Sequence, residues 1–509
     1  MLSSSISRSL TQCRCINTNI GSGGSGISNL VNCVSRLGIS STVTNTQYRS
    51  YCNANVTTAT GTATGATTTS SPHNPFHLCI IGSGPAGLYT ANRIYKLLPD
   101  SNVTIIEKFV GNVNIEQDIT FADIQRRFHA VVLACGIEGE KKLGIPGEAT
   151  LQRVYAARDF VSWLNGHPEF QKKQFSLDSE DVVIVGQGNV ALDVARMLVK
   201  PVSDIASTDI TSTATDLLSN SKVRNVHIVG RRGPAQVSFT TKEVREILKL
   251  PNVNTYINDP ECLNMPEEEA IKLERAQKKI VDLFKTHLKP YSEFKEEEGK
   301  KNIIFHFKRS PVEMVGREQL EGVTLVKNNL VEDAKGSIVA VPTEERESIK
   351  AGIVFRSIGY TGTKFSEVPF DFKRVKIPNV MGRVLQDTDS DVVIPGLYVS
   401  GWIKSGPSGA IVNVSVNAEE TAHTIKEDFD RDAYTNAVSG YQGVVDLLKS
   451  KDINLITFED WKKIEDEEIK RGKEKGKILE KIIVFDELKN IISNIGGGAG
   501  GSAPSNASS

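Results

Sequence analysis

The chain has 509 residues, enough for two or more domains at the usual ~100–200 residues each. It is 39% hydrophobic and 24% charged, an ordinary globular balance that permits a sizeable core. The formal net charge is -1 and no long unbroken apolar run occurs, which argues against a nucleic-acid binder held by bulk positive charge and against a membrane-spanning helix.

The first acidic residue is Asp100, and before it Arg8, Arg14, Arg36 and Arg49 stand among many serines and threonines. Arg-bearing, Ser-rich and acid-free is the composition of a mitochondrial transit peptide, so residues 1–50 are expected to be an import leader. Residues 51–75, with the Thr/Ala/Gly-rich stretch 57–71, read as a linker. Cys13, Cys15, Cys33 and Cys52 all precede the first strand-like run, Cys79 lies within it, and Cys135 and Cys262 follow it. No C-x-x-C pair and no zinc spacing occurs, so no metal site is expected. Cys79 and Cys135 read as small buried residues beside strands.

His77-Leu78-Cys79-Ile80-Ile81 is a strand-like apolar run followed at once by Gly82-Ser83-Gly84-Pro85-Ala86-Gly87. Helical spacing follows, with Leu88, Ala91, Ile94, Tyr95 and Leu98 on one stripe. Val103-Thr104-Ile105-Ile106 is the next strand and ends at Glu107. Gly82 permits the tight turn, Gly84 lets the backbone approach a pyrophosphate, and Gly87 lets helix and strand pack closely. The helix N-terminus then offers unpaired N–H groups and its positive dipole end to the phosphates. Glu107 can accept hydrogen bonds from ribose hydroxyls.

The pattern recurs. Asp181-Val182-Val183-Ile184-Val185 leads into Gly186-Gln187-Gly188-Asn189-Val190-Ala191, a helix follows, and the strand Val226-His227-Ile228-Val229 ends in Gly230-Arg231-Arg232-Gly233. Here the terminal acid is replaced by two arginines. A carboxylate would repel a 2′-phosphate, whereas guanidinium groups fork onto it, so the second nucleotide is read as NADP(H). Thr208–Ser221 is Ser/Thr-rich and expected as a surface loop. Thr240 and Glu243 have capping-box spacing, and Glu243 can serve as both cap and ribose ligand.

An acid after the first motif suits the FAD ribose, so the pair implies one redox enzyme in which the flavin, not a side chain, carries the chemistry. Near the C-terminus, Gly396-Leu397-Tyr398-Val399 leads to another Gly-rich strand-to-helix junction, Ser400-Gly401-Trp402-Ile403-Lys404-Ser405-Gly406-Pro407-Ser408-Gly409-Ala410-Ile411, a further set of backbone donors for the flavin. The expected fold class is α/β, with two Rossmann-like, doubly wound parallel-sheet domains and the FAD domain discontinuous around an NADP domain.

With Ser357-Ile358-Gly359-Tyr360, the blocks 186–196, 229–246 and 399–411, and Phe458-Glu459-Asp460-Trp461, the chain resembles the mitochondrial adrenodoxin reductase family of glutathione-reductase-like flavoproteins over residues 76–488. The resemblance implies FAD contacts at Ala86, Glu107, Ile115, Trp402, Gly409, Ala410 and Ile411. It implies NADP contacts at Gln187, Gly188, Asn189, Val190, Arg231, Arg232, Glu243 and the backbone of Gly409. It also implies an acidic [2Fe–2S] ferredoxin of the adrenodoxin kind as partner, docked on a basic face that includes Arg245. Arg275, Lys278 and Lys279, at i, i+3 and i+4, share one helical face and are candidates for the same surface. The location implied is the mitochondrial matrix or the matrix side of the inner membrane, with no nucleic acid involved. The expected division is 76–146 and 356–493 for the FAD domain, 147–355 for the NADP domain, and a disordered tail over 494–509.

One stretch departs from the family. Between Glu107 and Gly111 only Lys108-Phe109-Val110 stand where the family carries a much longer segment beside the flavin ring. A parallel crossover needs about a dozen residues, more than 108–112 supply. Either residues 113–115 have lost their place in the sheet or the sequence lacks an internal segment, and the alternative function is a non-catalytic NADP-binding form that has lost FAD. Two enzyme rivals fit less well. A disulfide reductase would need C-x-x-C, and an amidotransferase-type electron-transfer subunit would bring cysteine clusters.

Overall fold

The computed structural model describes residues 19–20, 75–107, 111–264, 271–334, 336–362, 365–409, 411–434 and 436–496. The expected linker, nearly all of the expected leader, residues 108–110, Ala410 and the chain beyond Gly496 lie outside them. The chain divides into two units. One takes the described residues up to Ile137 together with Gly362–Trp461, and the other takes Glu138–Thr361 together with the described residues from Lys462 onward. These boundaries stand beside expected ones at 146/147 and 355/356, and the C-terminal residues fall in the unit of the second Gly-rich motif.

In the first unit, four parallel strands lie in the order Asn102–Ile106, His77–Ile81, Ala130–Leu133, Val393–Val399. Arg383–Leu385 and Asn379–Val380 continue the sheet antiparallel. Parallel strands covered on both faces read as near-continuous apolar runs, and Leu78, Ile80, Val103, Ile105 and Val132 are all buried. Helix Pro85–Leu97 starts at Gly84, with Pro85 in its first turn, where a missing N–H costs nothing. Its stripe of Leu88, Ala91, Ile94 and Tyr95 joins the sheet core, and helix Ile411–Asp430 packs against it through Ala422 and Ile425. Each fully buried aliphatic chain of this kind contributes about 1.5–3 kcal/mol.

Residues 113–115 form no strand of that sheet. Ile115 makes a single isolated bridge to Ile119, while the outer edge of Asn102–Ile106 pairs antiparallel with Asn19–Ile20. The short connection after Glu107 cannot carry the chain back over the sheet, so the sequence that would be the third parallel strand turns locally instead.

The second unit holds seven parallel strands, ordered Val154–Ala156, Ile353–Arg356, Asp181–Val185, Asn225–Val229, Lys301–His306, Val253–Ile257, Lys289–Pro290. A three-stranded antiparallel sheet, Arg309–Gly316, Leu320–Glu332 and Ile338–Lys350, is inserted in the chain between the strands Lys301–His306 and Ile353–Arg356. The Ser/Thr-rich stretch expected as a loop contains a helix, Ser212–Ser219. The Thr211 hydroxyl accepts from Ala214 N–H at its start, and Ala214 and Leu218 are buried, so a cap and two apolar contacts override weak helical propensity. Helices Phe458–Glu474 and Phe485–Gly496 close the described chain, with Ile464, Ile482 and Leu488 in one small core; the last helix runs past the expected boundary at 493.

Candidate functional site: two phosphate loops and a basic helix

The first loop is shaped by what its glycines touch. Gly82 turns at φ +105°, and a Cβ there would lie 2.7 Å from the Ala134 carbonyl oxygen. A Cβ on Gly87 would lie 2.1 Å from the Gly82 carbonyl oxygen, so the helix can begin this close to the strand only without a side chain. At Gly84 a Cβ would meet nothing within 4 Å, which leaves the helix N-terminus open to a ligand. Glu107 reaches back over the loop, where its Oε2 accepts from Ser83 N–H at 3.1 Å and from Ser83 Oγ at 2.8 Å. The carboxylate is thus brought from the strand end to the first Gly-rich loop. Ser83 itself was not singled out from the sequence, although a hydroxyl in the variable position of the motif was the available signal.

The returning segment meets the same loop. Gly401 has φ +76°, and a Cβ there would stand 2.5 Å from the Ala86 Cβ. Ser400 Oγ accepts from Thr90 Oγ1 at 2.9 Å, tying the strand end to helix Pro85–Leu97. Trp402 begins the short helix Trp402–Ser405 and packs, half-buried, on the first-unit core. Gly409 is exposed at φ +91° and Ile411 opens helix Ile411–Asp430. Ile115 lies on the local turn described above, half-buried.

In the second loop Gly186 turns at φ +138°, with a Cβ position 2.1 Å from the Ser357 carbonyl oxygen. Gly188 caps helix Asn189–Val199 and, like Gly84, faces open space. The Asn189 Oδ1 accepts from Thr240 N–H at 2.8 Å, and Ser238 N–H donates to the Gln187 carbonyl at 2.8 Å, so the segment 238–240 is stitched to the loop. Gly230 lies against the Gln187 side chain. Val190 is half-buried at the helix start. Arg231 is exposed and Arg232 half-buried, and among the described residues neither guanidinium has a hydrogen bond or ion pair. Burial, and then the charge of Arg231, hold the Arg232 pKa below its ordinary value.

Glu243 is placed differently from the expected box. Its N–H donates to Thr240 Oγ1, but its carboxylate does not return to the cap; it sits buried 3.3 Å from Arg196 Nη1. Arg196, on the buried face of helix Asn189–Val199, also pairs with Asp193 and, at 2.8 Å, with Glu246. Three carboxylates around one guanidinium leave excess negative charge, and burial pushes Asp193 up to about 7. The buried cation draws the carboxylate inward, a preference that capping-box spacing cannot reveal.

Arg275, Lys278 and Lys279 are exposed in the first part of helix Arg275–His287, and Arg245 is half-buried on helix Thr241–Leu248, which packs against it. Cations near a helix N-terminus oppose its dipole. The helix is nevertheless well begun, with Glu274 and Gln277 forming a reciprocal capping box.

No family model matches the chain. Among curated proteins it is 48% identical over 522 residues to the probable mitochondrial NADPH:adrenodoxin oxidoreductase of Dictyostelium discoideum, covering 91% of this chain and 99% of that protein. It is 35% identical over 469 residues to the Arabidopsis thaliana mitochondrial NADPH:adrenodoxin oxidoreductase, covering 84% of this chain and 97% of that protein. It is 34% identical over 463 residues to the human protein of that name, covering 82% and 92%. Mycobacterium tuberculosis FprA in complex with NADPH superposes with TM-score 0.75 at 30% identity, over 82% of this chain and 100% of that one. The alignment with the Dictyostelium relative is 522 positions long, longer than this whole chain, yet takes in 91% of it, so the relative carries residues with no counterpart here.

Proposed function

Because the chain belongs to the mitochondrial NADPH:adrenodoxin oxidoreductase family, we propose that it passes electrons from NADPH through FAD to a [2Fe–2S] ferredoxin in mitochondria. The observation that carries this reading is the contrast between two otherwise alike phosphate loops. One is overhung by the acid Glu107, and the other ends in the unpaired cations Arg231 and Arg232. The first suits ribose hydroxyls and the second a 2′-phosphate.

The residues present fit FAD. The open helix start at Gly84 accepts a pyrophosphate, with Gly82, Ala86 and Gly87 forming the cradle and Glu107 taking the ribose. Ile115, Trp402, Gly409, Ala410 and Ile411 complete the proposed set. FAD supplies the conversion of a two-electron hydride donor into single-electron transfers. The chain's own part is to bind and orient. Gly186, Gln187, Gly188, Asn189 and Val190 would hold the NADPH pyrophosphate, Arg231 and Arg232 its 2′-phosphate, and the segment carrying Glu243 its ribose side. The first unit (76–137 with 362–461) is the proposed FAD unit, and Glu138–Thr361 the NADP unit.

The proposed partner is an acidic ferredoxin, which the charges of Arg245, Arg275, Lys278 and Lys279 would attract. Among the described residues no helix is long and apolar enough to cross a membrane, and the proposed site of action is the matrix or the matrix face of the inner membrane. Ferredoxin-dependent cytochrome c reduction by NADPH tests the reading. Turnover that requires ferredoxin and falls steeply with salt supports it, whereas salt-insensitive turnover without ferredoxin refutes it.

A further inference from the structure

Beside the two arginines stands a third cation that the nucleotide fingerprint does not include. Strand Lys301–His306 lies next to strand Asn225–Val229, and both end at the same edge of the sheet. Beyond their ends the two chains are laced together. Gly230 N–H donates to the His306 carbonyl at 2.9 Å, Arg309 N–H to the Gly230 carbonyl at 3.0 Å, and Lys308 N–H to the Arg232 carbonyl at 3.1 Å. Asn328 adds two further ties, its side-chain amide to the Arg231 carbonyl at 3.0 Å and its N–H to the Lys308 carbonyl at 2.8 Å. Lys308 is therefore fixed in register with Arg232.

Its backbone is also strained. Lys308 has φ +53°, a left-handed conformation that costs a residue with a Cβ and that glycine or asparagine adopts more easily. Such an outlier, held by hydrogen bonds on both sides, points to a use for the side chain. The side chain runs alongside the arginine loop, since a Cβ on Gly233, the residue after Arg232, would lie 3.8 Å from Lys308 Cε. Among the described residues the Lys308 ammonium has no ion pair or hydrogen bond. The neighbouring Arg309, by contrast, is buried and paired with Glu347 at 2.8 Å.

We propose that Lys308 is a third ligand for the 2′-phosphate of NADPH and sharpens the preference for NADPH over NADH. The proposal rests on the reading of this unit as the NADP unit. Three cations supplied by two adjacent strand ends, none neutralised by the protein, form a site for a dianion. A ribose lacking the 2′-phosphate gives Lys308 nothing to neutralise, so its contribution is confined to the phosphorylated nucleotide.

The test is calorimetric binding of 2′,5′-ADP and of 5′-AMP to the full chain, which needs no flavin turnover. Lys308→Asn removes the charge while suiting the left-handed backbone, and Lys308→Arg keeps the charge. The expected result is about tenfold weaker 2′,5′-ADP binding for Lys308→Asn, the size of one charge-assisted hydrogen bond, with 5′-AMP unchanged and Lys308→Arg close to the parent. Unchanged 2′,5′-ADP affinity in Lys308→Asn, or equal weakening of both ligands, overturns the assignment. An Arg231→Gln/Arg232→Gln variant separates the role of Lys308 from that of the arginine loop. If it loses 2′,5′-ADP selectivity and Lys308→Asn does not, only the role of Lys308 fails. If neither does, the NADP reading of the loop fails with it.

Discussion

Replacing Gly84 with alanine separates folding from flavin binding at the first loop. The Gly84 backbone, at φ -65° and ψ 176°, is one that alanine adopts freely, and its Cβ would meet nothing within 4 Å. Gly84→Ala should therefore cost the fold no more than about 0.5–1 kcal/mol, the difference between Gly and Ala at a helix N-cap. The new methyl would instead occupy the space a pyrophosphate needs, and overpacking of about 1–3 kcal/mol corresponds to roughly 5–150-fold weaker binding. Gly87→Ala is the opposite case, because its Cβ would lie 2.1 Å from the Gly82 carbonyl oxygen and the helix must leave the strand to accommodate it. Flavin-to-protein absorbance ratio and thermal melts of both variants measure the two effects. Gly84→Ala should melt near the parent with depleted flavin, and Gly87→Ala should lose both. A Gly84→Ala protein with full flavin content would refute the cradle.

Burial raises the folded pKa of Asp193 to about 7 from 3.8, so stability present below pH 4 is lost as pH rises towards 7. Asp193→Asn should flatten that decline in denaturant titrations run across this range. His306 has the opposite sign: burial, then the charges of His227 and Arg309, hold it well below 6.5, so stability present above pH 6.5 falls as the solution is acidified. A neutral isostere, His306→Gln, should reduce the acid slope by up to about 1.4 kcal/mol per pH unit. Reversing charge on the basic helix with Lys278→Glu and Lys279→Glu should raise the KM for ferredoxin several-fold and leave NADPH-dependent reduction of a small-molecule acceptor unchanged, because rim charges steer association.

The loops were legible because their glycines have steric duties that leave a strict spacing. Gly82, Gly87 and Gly186 each press on a backbone carbonyl, and the helices between strands follow from apolar periodicity. For residues 113–115 the crossover length left two outcomes open, a lost strand or a missing internal segment, and the structure shows them outside the sheet. Other features depend on partners far along the chain. Glu243 turned inward to Arg196, 47 residues away, and Lys308 reaches the arginine loop only because two strands are neighbours in the sheet. The Ser212–Ser219 helix was hidden by its Ser/Thr content, which suits a loop until Ala214 and Leu218 find a core.

This chain, with its short connection after Glu107, is proposed still to carry electrons from NADPH to a flavin. The direct measurement is the visible spectrum of the purified protein, followed by anaerobic titration with NADPH. The expected result is a yellow protein with about one flavin per chain, as its FAD-type loop implies, bleached by NADPH. A colourless protein that nonetheless binds NADPH would contradict it.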